Sequence, residues 1–402
     1  MKVLIVSTLY YGGGAEIQSK FEFDLLKKNN IDARYITFDP NIKTNESIVE
    51  GHINLFGGYS SNYRRISDII HNYRIEKMLA KLIREYEPDI VHLHQVGFAT
   101  KSIYKVLRKK VCVQTIHDYS IVCDKGTCIL KNGFPCTEGE SPKCLEKCFS
   151  ESLENKLKYY YRKIVRKGID KYRRACVNKY ISPSECLTKY LRAKDYDTIC
   201  INNAIDTSEF GGYEKEEMSE KRIILYYGGI RKSKGTKLII DAYEPEKMPN
   251  LEIHFIGGFD RGRIEDCYDE SEFMRLVHEK NIVFHGKKEH YEVIKFLEKV
   301  FAVIVPSFGM ENYPTTAIEG IYGKCVVCGS NRGGVPELIS EQKLLFDVED
   351  AMDLKRCLME LNKMSDKTYK MICKRQMEMF NKNNTPEVYL NSLTELFKEL
   401  SV

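Results

Sequence analysis

Residues 301–320 read FAVIVPSFGMENYPTTAIEG. The first six form an apolar, β-branched run closed by proline, the pattern of a buried strand. A helix follows, beginning near Thr315 or Thr316. Two glutamates, Glu311 and Glu319, bracket its start. A helix N-terminus attracts anions, and an acid beside it repels a phosphate unless it faces the uncharged parts of the same ligand. Sugar hydroxyls are donors that a carboxylate accepts well. Strand, loop and helix together therefore suit a ligand with a sugar at each end and phosphates between. Glu311 precedes the helix and Glu319 lies about one turn into it, so they address different sugars. Glutamates eight apart often arise by chance; their place between strand and helix gives this pair its meaning.

The same alternation runs outward in both directions. Downstream and upstream in the second half stand IILYYGG (223–229), LEIHFIGG (251–258), NIVFHG (281–286) and KCVVCGS (324–330). The first half offers KVLIVS (2–7), DARYITF (32–38), PDIVHLH (88–94), VCVQTIHD (111–118), KYISPS (179–184) and TICINNAID (198–206). Short Val- and Ile-rich runs between helical segments predict parallel sheets covered on both faces. The charged, glycine-containing EFGGYEKEEMSEKR (209–222) reads as a linker. The fold class is thus α/β, with two doubly wound domains at 1–208 and 209–384. A final helix over about 385–402 is expected to return to the first domain. Such sheets bind ligands at the carboxyl ends of their strands, so a cleft between the domains is the expected site.

Composition sets outer limits. The chain has 402 residues, 43% hydrophobic and 30% charged, enough for two packed domains. A net charge of +5 is mild, and no nucleic-acid motif accompanies it, so no nucleic-acid partner is expected. The N-terminal apolar run reaches glycines too early for a secretory signal. No uncharged apolar stretch approaches the roughly 20 residues that span a bilayer. A cytoplasmic location is expected, where the 14 cysteines would be buried thiols or ligands.

Other candidate residues lie at strand ends. GGGAE (12–16) opens a helix where Gly13 and Gly14 let the backbone approach a phosphate or sugar; a plain tight turn is the alternative. The spacing is not GxGxxG, which disfavours a dinucleotide. His117 ends a strand, where imidazole can donate to a sugar hydroxyl or a carbonyl, or serve as a structural histidine. His92 and His94 share a strand face; with His117 they raise a metal site, but no carboxylate falls at a metal-like spacing. Arg231, Lys232 and Lys234 in YYGGIRKSKGTKLII (226–240) suit a diphosphate, unless the loop is simply solvated.

These motifs resemble glycosyltransferase family 4, the large retaining family of the GT-B fold with two Rossmann-like domains. The resemblance rests on the E-x7-E of Glu311 and Glu319, on GGGAE, DIVHLH, HDY, SPSE (182–185) and INNAID (201–206), and covers nearly the whole chain. It departs in Asn202 and Ala204, where the family has proline and glycine, and in Gly229, where the family often has arginine. The resemblance implies that Glu311 meets donor-sugar hydroxyls, Glu319 the ribose, and Arg231 with Lys234 the diphosphate. Asn312, Tyr313, Pro314 and Thr315 would approach sugar and phosphates through their backbone, and His117 would lie near the transferred sugar. Gly257, with Ile256, Gly258, His285 and Gly286, would border the base. Glu16, His94 and Asp118 would lie on the acceptor side. The implied reaction is retaining hexose transfer from a nucleoside diphosphate sugar to a glycan or lipid-linked hydroxyl, in cell-surface polysaccharide synthesis and without a catalytic cofactor or metal. A nucleotide-sugar epimerase, a glycan phosphorylase and a non-catalytic nucleotide-sugar-binding protein are the alternatives.

Two segments stand apart. Cys123, Cys128, Cys136, Cys144 and Cys148 fall within one loop. A structural zinc, with Cys123, Cys136, Cys144 and Cys148 as its ligands, competes with unligated thiols and a disulfide. From 155 to 180 the chain carries ten Lys or Arg and one acid, Asp170, interleaved with Tyr159, Tyr160, Tyr161, Ile164 and Val165. A basic amphipathic helix of this kind can lie on an anionic membrane at the inner face of the cell, or be a solvated face.

Overall fold

The computed structural model describes residues 1–56, 71–97, 99–131, 134–136, 139, 141, 143–148, 152–217, 221–259 and 266–401. The chain divides into two compact units. One comprises 1–131, 136–203 and 386–402, and the other 132–135 and 204–385.

In the first unit the strands are β1 (Lys2–Val6), β2 (Asp32–Thr37), β3 (His52–Asn54), β4 (Ile90–Leu93), β5 (Cys112–Thr115), β6 (Lys179–Ser182) and β7 (Thr198–Cys200). They form one sheet of order β3-β2-β1-β4-β5-β6-β7. Every pairing is parallel: Val3 stands opposite Ala33 on one side and Ile90 on the other. The helices α1 (Gly14–Lys28), α2 (Tyr73–Tyr86), α3 (Thr100–Leu107), α4 (Cys144–Cys148), α5 (Leu153–Cys176) and α6 (Glu185–Arg192) follow in sequence. Caps mark their starts, as where Asn72 accepts from the Ile75 N–H and Ser184 from the Leu187 N–H. Val3, Leu4, Ile5 and Val6 are fully buried, which is why the strand runs are continuous in apolar residues rather than alternating.

The second unit repeats the plan. Its strands are β8 (Arg222–Tyr227), β9 (Leu251–Ile256), β10 (Val283–Phe284), β11 (Val300–Val305), β12 (Val326–Ser330) and β13 (Leu345–Phe346), ordered β10-β9-β8-β11-β12-β13 and parallel. Its helices are α7 (Thr236–Ala242), α8 (Glu270–Glu279), α9 (His290–Leu297), α10 (Thr315–Tyr322), α11 (Ala351–Lys363) and α12 (Asp366–Asn383). The last helix, α13 (Pro386–Leu400), belongs to the first unit, where Tyr389 packs on Phe21 and Phe397 on His92. The α/β class and the two doubly wound sheets are as the strand runs predict.

The edge strands β3 and β13 escape that reading. β3 is three residues long and turns polar groups inward. His52 and Asn54 both bond the Thr37 hydroxyl, so no apolar run marks the strand. The segment read as a linker also differs. Its described part is fastened to the second unit: Phe210 is buried, the Tyr213 hydroxyl donates to the Gly323 carbonyl at 2.6 Å, and Lys215 Nζ donates to the Leu297 carbonyl at 3.0 Å. Dense charge hid anchors that work through backbone carbonyls.

One contact fixes the loop after β8. Gly235 has φ +72, and a Cβ there would lie 1.8 Å from the Pro306 carbonyl oxygen at the end of β11. No other residue fits that approach. Gly235→Ala is therefore expected to cost about 2 kcal/mol or more, a drop of at least about 4 °C in melting temperature. Gly229→Ala, where a Cβ meets nothing within 4 Å, should leave the melt nearly unchanged. Equal melts for the two variants by circular dichroism would refute the constraint.

Candidate functional site

In the second unit the strand order reverses between β8 and β11, and loops leaving both strands meet at the carboxyl edge of the sheet. The β8 loop carries Arg231 and a single turn of tight helix, Lys232–Lys234. Asp266 anchors this turn, accepting from the Ser233 N–H and hydroxyl, each at 2.6 Å. Arg231 Nε lies 3.9 Å from the same carboxylate. The Ser233 carbonyl in turn accepts from the Phe308 N–H at 2.9 Å, tying the two loops together. Lys234 Nζ then stands 2.5 Å from Glu311 Oε1.

That ion pair decides the electrostatics of the edge. Burial works to raise the Glu311 carboxyl, but the Lys234 ammonium, the Ser307 hydroxyl and Arg231 outweigh it and hold the group below the usual carboxylate range. The Glu311 backbone is pinned too. Its carbonyl accepts from the Gly334 N–H at 2.8 Å, and a Cβ on Gly333 would come within 2.0 Å of it. From sequence, Lys234 and Glu311 carry separate tasks; the fold sets them against each other.

Helix α10 starts four residues after Glu311, with Pro314 at its N-cap. It lies close on the sheet because Gly320 carries no side chain: a Cβ there would meet Val303 at 2.9 Å. Glu319, on its second turn, is buried and accepts from the Tyr227 hydroxyl at 2.8 Å. His290 Nε2 lies 3.1 Å from the other Glu319 oxygen, and His290 Nδ1 lies 2.9 Å from Glu209. Asn312 and Tyr313 are buried, and the Tyr313 hydroxyl accepts from Asn384 at 3.2 Å. Gly257 follows β9, where a Cβ would lie 1.8 Å from the Gly228 carbonyl, and its N–H bonds Gly286. Thus Arg231, Lys234, Glu311, Asn312, Tyr313, Pro314, Thr315 and Glu319 gather around the β8 and β11 ends. Sequence reasoning missed His290, Tyr227, Asp266 and Glu209, which sit on other elements with no spacing to link them to the glutamates.

In the first unit the switch lies between β1 and β4. The GGGAE helix start is closed by its own acid: the Gly13 N–H donates to Glu16 Oε2 at 3.0 Å. Gly14 is the first helical residue. Asp118 is exposed and caps a short turn through the Ser120 N–H at 2.9 Å. His117 is partly exposed, and its Nε2 lies 3.0 Å from Nδ1 of the buried His94. Burial, reinforced by the His94 and His92 rings, holds His117 well below the usual imidazole range. It is neutral at pH 7. The sequence shows no carboxylate near these histidines, but the fold supplies Glu22 from α1, 2.6 Å from His92 Nδ1 and 3.2 Å from His94 Nε2.

The five loop cysteines are buried and free. Loop backbone groups engage them: the Cys128 N–H meets Cys123 Sγ at 3.3 Å, and the Gly139 carbonyl accepts from both Cys136 and Cys144. Cys144 and Cys148 pack with Tyr159. Among the described residues, the set of three metal-ligand groups with ligating atoms within 4.8 Å of one another is Glu22, His92 and His94. The cysteines expected to hold zinc do not form such a set.

Helix α5 is basic and amphipathic, with different members from those expected. Tyr159 faces inward. Leu153, Leu157, Tyr160, Tyr161 and Ile164 form an exposed apolar stripe at helical spacing. Arg166, Arg173, Arg174 and Lys179 are ion-paired within the unit, while Lys156, Arg162, Lys167 and Lys171 are exposed. No helix among the described residues is long and apolar enough to cross a membrane.

His290, held between Glu209 and Glu319, is raised to about 10 from the ordinary 6.5, the Glu209 hydrogen bond being the largest cause. A raised histidine stabilises the fold fully below its unfolded pKa and loses that contribution as pH climbs through the folded one. In a histidine-selective NMR titration, His290 should stay protonated past pH 8, and Glu209→Gln should lower its midpoint. A midpoint near 6.5 would show that the double bridge does not form.

The comparisons with known proteins agree with this geometry. A family model described as Glycosyltransferase Family 4 matches residues 13–209, and one described as Glycosyl transferases group 1 matches residues 213–378. An uncharacterized 42.6 kDa protein in the cps region of Klebsiella pneumoniae is 21% identical over 379 residues, covering 88% of this chain and 91% of that protein. Sucrose-phosphate synthase from Thermosynechococcus elongatus superposes with a TM-score of 0.72 at 16% identity, covering 100% of this chain and 99% of that one. Anabaena HepE in complex with UDP-glucose superposes at 0.69 and 15% identity, covering 98% and 99%. With both units matched and the GT-B fold in place, the chain belongs to the family 4 glycosyltransferases.

Proposed function

We propose that this glycosyltransferase moves a hexose, with retained anomeric configuration, from a nucleoside diphosphate sugar to a hydroxyl of a glycan or lipid-linked acceptor. The observation that carries the reading is the placement of Glu311 and Glu319 on either side of the α10 start, with Lys234 against the first. Lys234, Arg231 and the α10 N–H groups meet the diphosphate and stabilise it as it leaves. Glu311 accepts from sugar hydroxyls and Glu319 from the ribose. Gly257, whose missing side chain lets the Gly228 carbonyl come close, borders the base through its backbone. The backbone of Asn312, Tyr313, Pro314 and Thr315 lines the path between, and neutral His117 lies by the transferred sugar. Gly13 and Gly14, whose bare backbone suits a donor phosphate or sugar, lie in the first unit together with the acceptor-side residues Glu16, His94 and Asp118. Catalysis rests on positioning and on compensating leaving-group charge. HepE holds UDP or UDP-glucose, which puts UDP-sugars first among candidate donors. The Klebsiella relative's cps region supports polysaccharide synthesis as the setting.

A thermal-shift panel of UDP-, GDP-, dTDP- and ADP-sugars tests the donor site. One donor should raise the melting temperature by several degrees, and Glu319→Gln should abolish most of that rise. Lys234→Met should lower kcat/KM by about 100-fold or more. A panel in which no nucleotide sugar stabilises the protein, or in which Glu319→Gln responds like the parent, refutes the assignment.

The acceptor side rests on α5. Its apolar stripe, flanked by Lys156 and Lys167, fits the surface of an anionic bilayer at the inner face of the cell membrane. The protein should co-sediment with phosphatidylglycerol vesicles far more than with phosphatidylcholine vesicles. Binding should weaken with salt and disappear in Leu157→Glu/Ile164→Glu. Equal sedimentation of that variant would rule the surface out.

A further inference from the structure

The first unit holds a chain of buried polar groups that the donor site does not use. Glu22 of α1 is fully buried, as are His92 and His94 of β4. Glu22 Oε1 lies 2.6 Å from His92 Nδ1, and Oε2 lies 3.2 Å from His94 Nε2. The Tyr389 hydroxyl of α13 donates to Oε2 at 2.7 Å. His92 Nε2 meets the Thr115 hydroxyl at 2.8 Å, and His94 Nδ1 meets His117 Nε2 at 3.0 Å. The His94 and His117 rings stack, with centroids 5.2 Å apart.

Proton counting gives this chain a direction. Burial works to raise the Glu22 carboxyl, but the two imidazoles and their hydrogen bonds outweigh it and keep it ionised. An ionised carboxylate only accepts, so His92 Nδ1 and the Tyr389 hydroxyl each point a proton at it. His94 Nε2 stands 3.2 Å from Oε2 without hydrogen-bond alignment; a bare nitrogen there would set its lone pair against the carboxylate, so it too carries the proton. Burial keeps His94 neutral. A neutral imidazole bearing its proton on Nε2 has a bare Nδ1, and that nitrogen can only accept. The proton between the two rings therefore belongs to His117 Nε2.

We infer that Glu22, acting through His94, fixes the tautomer of His117, so that His117 offers the bare Nδ1 as an acceptor for a ligand hydroxyl. Glu22 and His94 are positioning residues; His117 is the group that meets the substrate. This rests on the glycosyltransferase reading above and sharpens it. At neutral pH His117 takes a hydrogen bond from a hydroxyl of the bound sugar or acceptor and does not donate one to a carbonyl.

The groups facing this chain are Gln18 and Glu22 from α1, His92 and His94 from β4, Thr115 and His117 from β5 and its end, and Tyr389 from α13. Glu22→Gln keeps the shape but gives the chain a donor. Its amide N–H can reach His94 Nε2, which moves the His94 proton to Nδ1 and the His117 proton to Nδ1.

The test is long-range nitrogen–proton NMR on the full chain with 15N-labelled histidine, the His117 signals assigned by their loss in His117→Gln. The parent protein should show His117 protonated on Nε2, and Glu22→Gln should switch it to Nδ1. Transfer activity in Glu22→Gln should fall about tenfold or more in kcat, as expected for a misdirected imidazole, while most of the donor-induced thermal shift remains, in contrast to Glu319→Gln. Nδ1 protonation in the parent protein overturns the inference even if the variant fails to fold. So does an unswitched tautomer in a folded Glu22→Gln, a switch with no loss of kcat, or one tightly bound metal ion per chain lost in that variant. A parent protein that transfers no sugar from any donor would instead defeat the functional reading, and the tautomer measurement would still decide this one.

Discussion

The meeting of Gly235 with Pro306 sets the terms for the second unit. The backbone after β8 passes so near the end of β11 that a side chain cannot intervene, and the Ser233 carbonyl bonds the opposite loop. Lys234 is thereby delivered to Glu311. A carboxylate beside a helix N-terminus would ordinarily spoil an anion site. With an ammonium 2.5 Å away it is compensated, and the edge offers acceptors for hydroxyls and positive charge for phosphates in one place. The arrangement depends on backbone proximity more than on residue choice, because a long lysine side chain anchored a few ångströms elsewhere could satisfy itself in solvent.

Two further carboxylates show how buried acids organise this molecule. Glu319 draws in Tyr227 and His290, and Glu22 draws in His92, His94 and Tyr389. Each is acceptor-only, so each dictates the proton direction of its partners. A buried charge left alone would be costly; surrounded in this way it becomes a source of order. The partners come from different elements: β8 and α9 for Glu319, β4 and α13 for Glu22. These small networks therefore also fasten helices to sheets, and α13 is held to its unit partly through the Tyr389 hydroxyl.

Much of this was legible in the amino-acid order. Continuous apolar runs such as those of β1, β8 and β11 betray strands buried on both faces, and the E-x7-E stretch foretold a helix start after β11. Shorter or polar elements were not legible. β3 turns His52 and Asn54 inward, and β13 is two residues long. The 209–222 segment looks like a tether because its charges are dense, yet Tyr213 and Lys215 grip backbone carbonyls. Tyr159 stands within a run of three tyrosines, and only packing reveals that it faces Cys144 and Cys148 while Tyr160 and Tyr161 face outward.

The sequence by itself determined the fold class, the alternation of strand and helix, and the places where loops leave the strands, because hydrophobic periodicity and turn residues act over a few positions at a time. Only the tertiary structure decided which charges meet. Lys234 and Glu311 are 77 residues apart, Glu22 and His92 are 70, and Glu22 and Tyr389 are 367. Pairings of that kind are fixed by how sheets and helices stack, and the strength of a Coulomb or hydrogen-bond contact follows distance in space, which no local pattern of residues encodes.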